Sequence, residues 1–126
     1  MRALIDTVVF VWALTAPERV SKRAMAVLAK PDTVRLLSAV SLSELAIKRS
    51  CGKLDIGKEQ VVAGVSDLQL RIVPYTAQHA YELFALPLHH FDPFDRQIIA
   101  QAVSEDIPVI TSDEKFGLYK ELKIIW

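Results

Sequence analysis

Arg2-Ala3-Leu4-Ile5-Asp6-Thr7 opens the chain with a short apolar run that stops on an acid, and Val8 to Leu14 continues it as an apolar stretch that reads as a helical turn or two. Thr15 to Pro17 breaks that stretch. Outward from there, strand and helix patterns alternate. Ser21 caps an amphipathic helix ending near Ala29, Val34 to Ala39 has the β-branched, apolar character of a buried strand, and Ser41 starts a helix that Cys51-Gly52 ends. Lys58 to Leu70 is helical by the spacing of Val61, Val62, Val65 and Leu68, Arg71 to Pro74 is a short strand, and Thr76 begins a helix through about Ala85. After a connector from Leu86 to Phe91, Asp92-Pro93 opens a helix with Ile98, Ile99, Ala102 and Val103 on its buried stripe. Ile107 to Thr111 is a strand, Asp113 to Leu118 a short helix, and Leu122 to Ile125 a last strand. Such alternation predicts a parallel α/β sheet covered by helices on both faces.

The 126 residues fit one domain with a real core. Apolar residues make up 52% and mean hydropathy is +0.26, more than one small core readily covers, so an apolar surface for a partner subunit is expected. Lys plus Arg and Asp plus Glu number 15 each, which excludes a global field drawing the chain onto nucleic acid; any such contact is local. One cysteine, Cys51, excludes an intramolecular disulfide and fits a reducing cytoplasm. Arg2 followed by the run from Thr7 to Ala16 imitates a signal peptide, but Asp6 interrupts it, and no apolar run approaches the roughly 20 residues needed to span a bilayer. A soluble protein with no membrane contact is expected.

Four carboxylates, Asp6, Glu44, Asp95 and Asp113, fall where predicted strands run out into helices. Each has an innocent reading. Ser41-x-x-Glu44 has the form of a capping box, Asp92-Pro93-Phe94-Asp95 reads as a cap with an acid at the third helical position, and Asp113 and Asp6 stand where caps belong. Capping, however, is served equally by neutral Ser, Thr or Asn. In a parallel sheet, groups past the carboxyl ends of strands converge on one crevice. There, each pair of carboxylates at ~4 Å repels by on the order of 4 kcal/mol at a moderate effective dielectric, so the set calls for a cation. Oxygen donors without Cys or clustered His select Mg²⁺ or Mn²⁺ over zinc. His89-His90 is an adjacent pair whose side chains point apart, which favours a surface connector. His79 is alone on a helix, Trp12 and Trp126 read as core or interface aromatics, and Lys48, Arg49 and Lys53 are balanced between a solvated face and a phosphate contact.

Several longer phrases carry more information: L-I-D-T-x-x-x-x-W-A-L from Leu4 to Leu14, S-x-S-E-L-A-I-K from Ser41 to Lys48 with G-K-L at Gly52 to Leu54, L-P-L-H-H-x-D-P-F-D-R-x-I-I-A-Q-A from Leu86 to Ala102, and T-S-D at Thr111 to Asp113. Nearly end to end, the chain resembles the PIN-domain ribonucleases, and among them the VapC-type toxins of bacterial and archaeal type II toxin-antitoxin operons. That resemblance implies a PIN-like three-layer α/β/α sandwich with a central, mainly parallel sheet, one PIN domain over residues 1–126. It implies that Asp6, Glu44 and Asp95 are the principal acids of a site for one or two Mg²⁺ or Mn²⁺ ions, with Asp113 the fourth and Asp92 a cap. Thr7, Thr111 and Ser112 would be hydroxyls that orient a carboxylate or a water, and Arg96 would contact phosphate or pair with an acid. The implied activity is endoribonucleolytic: a metal-activated water attacks phosphorus and displaces the ribose 3′-oxygen. The implied partners are RNA, a second copy of the chain, and a cognate antitoxin through which alone promoter DNA is bound. Val8 departs from the family, which often has His or Asn there.

Two other classes compete. A phospho-receiver domain is a parallel α/β module with a strand-end Mg²⁺ pocket, but it calls for an acidic pair after the first strand and a late lysine, where this chain has Asp6 alone and T-S-D. A haloacid dehalogenase phosphatase needs D-x-D-x-T, and Asp6-Thr7-Val8 lacks the second Asp. A PIN-like scaffold that has lost its metal is the third reading, which Val8 keeps open.

Overall fold

Alternate side chains of the first strand have two cores to fill, and this fixes the architecture. In a computed structural model describing residues 1–126, β1 (Arg2–Ile5) sends Ala3 and Ile5 to one face and Leu4 to the other, all buried. The chain continues through α1 (Thr7–Thr15), a 3₁₀ turn (Pro17–Arg19), α2 (Lys22–Ala29), β2 (Val34–Ser38), α3 (Ala39–Ser50), α4 (Lys58–Asp67), β3 (Arg71–Val73), α5 (Ala77–Glu82) and α6 (Pro93–Glu105). It closes with β4 (Val109–Ile110), a second 3₁₀ turn (Glu114–Leu118) and β5 (Ile124–Ile125). The five strands run in the order β3-β2-β1-β4-β5, every neighbouring pair parallel.

Above one face, Val9 and Phe10 of α1 and Ala24 of α2 meet Ala3, Ile5, Leu37 and Ile110, with Val61 and Val65 of α4 packed against them. Below the other, Ile98, Ile99 and Ala102 of α6 meet Leu4, Leu36 and Val109, joined by Phe116 and Tyr119. This is a three-layer α/β/α sandwich, as the alternation predicts. The chain winds outward from β1 in one direction and from β4 in the other, so β1 and β4 flank the point where strand order reverses, and their carboxyl ends open the crevice that such sheets use for ligands. Asp6 follows β1, and Thr111 to Asp113 follow β4.

Trp12 and Trp126 pack on each other with ring centroids 6.0 Å apart, and the Arg19 guanidinium lies 4.2 Å over Trp12. Gly64 of α4 lies directly against Leu14 of α1: a Cβ there would lie 2.5 Å from Cδ2 and 2.7 Å from Cδ1 of Leu14. Gly64→Ala therefore forces the Leu14 side chain, and the α1–α4 packing around it, to shift. A loss of about 1–3 kcal/mol is expected in urea denaturation, against the small gain that Gly→Ala gives in an unhindered helix.

Some boundaries differ from expectation. The last two strands are shorter than the apolar runs Ile107 to Thr111 and Leu122 to Ile125. Backbone bonds nevertheless continue past them, Leu4 N donating to Pro108 O (2.9 Å) and Thr111 N to Ile125 O (3.3 Å). The largest change is at α3, which begins at Ala39 with the Ser38 hydroxyl accepting the Val40 amide, and not at Ser41. Ser38 serves because β2 ends on it, three residues before Ser41.

Candidate metal centre

Extending α3 back to Ala39 removes the capping-box reading of Ser41 and Glu44. Glu44 stands in the second helical turn, out of reach of the first amides, with its side chain 3% exposed. Its Oε2 accepts from Lys48 Nζ at 2.6 Å, one turn on, and its Oε1 is buried without a partner. The capping reading of Asp6 fails likewise. Asp6 occupies the N-cap position of α1 but makes no capping bond. Its Oδ2 accepts from the Thr111 hydroxyl at 2.8 Å, across the β1–β4 crevice, while its Oδ1 is buried and unpartnered.

At α6 the two acids divide the work. Asp92 caps, its Oδ1 accepting the amides of Phe94 (2.9 Å) and Asp95 (3.0 Å), which leaves the Asp95 carboxylate for other business. Asp95 Oδ2 lies 2.9 Å from His90 Nε2, and Asp113 Oδ2 lies 3.0 Å from the same nitrogen. Asp113 also caps its 3₁₀ turn through the Lys115 amide at 2.9 Å. His90 is buried, which corrects the surface-connector reading of the histidine pair for this member; His89 alone is exposed.

His90, Asp95 and Asp113 bring ligand atoms within 4.8 Å of one another, a group able to hold a metal ion. His90 Nδ1 accepts the Asp92 amide at 3.2 Å, so in the neutral ring Nε2 carries the hydrogen and donates to the two carboxylates. The free lone pairs of the site are thus on oxygen. Burial raises Asp95 to about 8, with the charges of Asp6, Asp92, Glu44 and Asp113 acting in the same direction. Burial also raises Asp6 to about 6, opposed by the Thr111 bond and reinforced by Glu44 and Asp113. Lys48 is raised: burial pulls it down, but the bond to Glu44 and the charges of Glu44, Asp92 and Asp95 outweigh that. The charges of Glu44 and Asp113 thus act on both Asp6 and Asp95, although only Asp95 and Asp113, with His90, bring ligand atoms within 4.8 Å of one another.

Of the hydroxyls, Thr111 touches a carboxylate and also accepts the Asp113 amide at 3.0 Å, whereas Thr7 donates to Ser41 at 2.8 Å and reaches no acid. Arg96 pairs with no acid either. Its guanidinium holds the connector, donating to the carbonyls of Leu86, Pro87 and His90 and to the Tyr119 hydroxyl, which itself accepts the amides of His89 and His90. Val8 is 40% exposed on α1.

A divalent ion fits this donor set. Two deeply buried carboxylate oxygens, Asp6 Oδ1 and Glu44 Oε1, have no protein donor, and the burial and neighbouring negative charge that raise Asp6 and Asp95 are what a cation would offset. Thr111→Val removes the donor that orients Asp6 at nearly constant volume. Mg²⁺ affinity measured by calorimetry is expected to fall about 10- to 100-fold, with the fold retained.

The PIN domain family model matches residues 3–122. The chain belongs to the PIN-domain family. Among solved structures, this PIN domain shares its fold with VapBC2 from Rickettsia felis bound to a DNA fragment from their promoter, at 20% identity and a TM-score of 0.75, covering 98% of this chain and 97% of that one. DNA-bound VapBC from Salmonella typhimurium matches at 17% and 0.69, covering 98% and 96%. VapC20 from Mycobacterium tuberculosis, a toxin that cleaves the sarcin-ricin loop, matches at 21% and 0.58, covering 96% and 98%. No curated protein matches the sequence of this PIN domain. No helix in it is long and apolar enough to cross a membrane.

Proposed function

We propose that this PIN domain is a metal-dependent endoribonuclease, the toxin of a type II toxin-antitoxin pair, with Asp6, Glu44, Asp95 and Asp113 holding Mg²⁺ or Mn²⁺. The observation that carries the reading is the pair of buried, partnerless oxygens Asp6 Oδ1 and Glu44 Oε1, where burial, reinforced by neighbouring negative charge, raises Asp6 and Asp95. When bound, a divalent ion supplies charge to offset a phosphodiester and lowers the pKa of water. The chain's own part is to aim the carboxylates. Thr111 turns Asp6, the Asp92 cap frees Asp95, and the Arg96–Tyr119 network fixes the connector that carries His90. Phosphorus is attacked by water with loss of the ribose 3′-oxygen, so each cut leaves a 5′-phosphate and a 3′-hydroxyl.

The toxin context is supported by the fold shared with VapBC proteins, one of them described as a member of the VapBC family of toxin-antitoxin systems, from Mycobacterium tuberculosis. On this reading the partners are RNA, a cognate antitoxin that alone contacts promoter DNA, and a second copy of the chain, in the cytoplasm. Exposed Phe84, Leu88 and Phe91 and the excess of apolar residues suit such protein partners. Antitoxin-free protein incubated with total RNA in Mg²⁺, and in parallel in EDTA, is expected to give discrete cuts only with the metal, with 5′-phosphate ends. Metal binding without cleavage of any RNA in that pool would set the nuclease reading aside.

A further inference from the structure

We infer that Lys48 is a phosphate-binding residue for the RNA strand at the mouth of the acidic pocket, held against Glu44 until a divalent ion and RNA arrive. This rests on the nuclease reading above and adds to it a residue for substrate binding. Lys48 lies one turn beyond Glu44 on α3, and its Nζ is 2.6 Å from Glu44 Oε2. The two ends of that bond differ in environment. The Glu44 side chain is 3% exposed and the Lys48 side chain 37%, so Lys48 spans the boundary between a buried carboxylate and solvent, within reach of a phosphate on the solvent side.

Glu44 also keeps a second oxygen with no partner, so the lysine satisfies half of the carboxylate and leaves the other half open. Once a doubly charged ion shares Glu44, the ammonium meets a like charge and loses much of its attraction to that carboxylate. A phosphate oxygen at the mouth then becomes its better partner. The four-carbon stem of lysine allows the move without any shift of α3. The chain as a whole carries no net charge to attract RNA, which makes a cation placed beside the acids the more necessary.

A purely structural Lys48, serving to orient Glu44, makes a different prediction, and the two separate by sign. Lys48→Met keeps the stem and removes the charge. Under the phosphate role, Mg²⁺ binding by calorimetry tightens severalfold, because a competing cation has gone. Binding of fluorescein-labelled oligouridine, measured by anisotropy in Ca²⁺ to limit cleavage, weakens about tenfold. The slope of log affinity against log salt falls by about 0.7, the single-strand value for one lost phosphate contact, and oligoadenosine loses affinity equally. Lys48→Arg restores most of the RNA affinity. Weaker Mg²⁺ binding with an unchanged salt slope in Lys48→Met overturns the phosphate role and makes Lys48 a support for Glu44, leaving the nuclease reading intact. Wild-type protein that binds Mg²⁺ and neither oligonucleotide overturns both. Circular dichroism of each variant confirms that the comparison is between folded proteins.

Discussion

Asp6→Asn is expected to reduce metal-dependent RNA cleavage about a thousandfold, a loss of about 4 kcal/mol of transition-state stabilisation, and Asp95→Asn by a similar factor. The reasoning differs for the two. At Asp6 the amide oxygen can still accept from Thr111, so the β1–β4 crevice keeps its geometry. What disappears is the negative charge and the free Oδ1. At Asp95 the cap is undisturbed, because Asp92 and not Asp95 satisfies the first amides of α6. Both variants should therefore fold and should lose Mg²⁺ affinity together with activity. Asp92→Asn provides the contrast: asparagine caps nearly as well as aspartate, so it should cost little stability and at most a few-fold in rate. Cleavage timed under identical Mg²⁺ for the three variants decides the matter. Equal losses at positions 92 and 95, or full activity in Asp6→Asn, would remove the acids from the chemistry.

Charge and period make much of this fold legible in the sequence. Apolar runs such as Ala3 to Ile5 and Leu36-Leu37 are buried on both faces, and that is why they read as parallel strands without alternation. Asp6, at the end of the first of those runs, is buried rather than an ordinary surface charge, and its place directly after a strand is the signal. What stayed hidden depends on contacts between residues distant in sequence. Ser38 and Ser41 are equally good caps on paper, and only the length of β2, set by its pairing with β1 and β3, selects the first. His90 gave no sign of its role because its two carboxylate partners lie 5 and 23 residues on and meet only when α6 and the turn after β4 come together. Arg96, expected to contact phosphate or pair with an acid, pairs with no acid, and its hold on the connector was hidden for the same reason: the carbonyls it binds belong to a segment with no periodic pattern. Gln101 is a further case. Buried within α6, it accepts from Ser38 at 2.5 Å and donates to Pro74 O at 3.0 Å, tying the helix that carries Asp95 to the start of the helix that carries Glu44.

In EDTA the protein is expected to lose stability as pH rises from about 4 to about 8, opposite to the usual behaviour of carboxylates held in ion pairs. Asp6 is raised from 3.8 to about 6 and Asp95 from 3.8 to about 8. Across this window the folded chain retains protons that the unfolded chain has released. The stabilisation they bring is complete below the ordinary carboxylate range and is lost as pH passes first the Asp6 value and then the Asp95 value. Asp6, almost wholly buried, accounts for a loss on the order of 3 kcal/mol between pH 4 and pH 8, and Asp95, partly hydrated, adds to the loss. Mg²⁺ must displace these protons, so its affinity should climb over the same window, and saturating Mg²⁺ should flatten the stability profile. Urea denaturation across the window, with EDTA and with Mg²⁺, reads both effects. Asp6→Asn sharpens the test: without metal it should be more stable than wild type at pH 8 and nearly equal to it at pH 4, the reverse of its effect on activity. A profile in EDTA that is flat or rises toward pH 8 would mean that the four acids are hydrated and well separated in solution, and the case for a metal centre would go with it. A falling profile that Mg²⁺ flattens means that the fold is held short of its full stability by the charges it gathers for the ion.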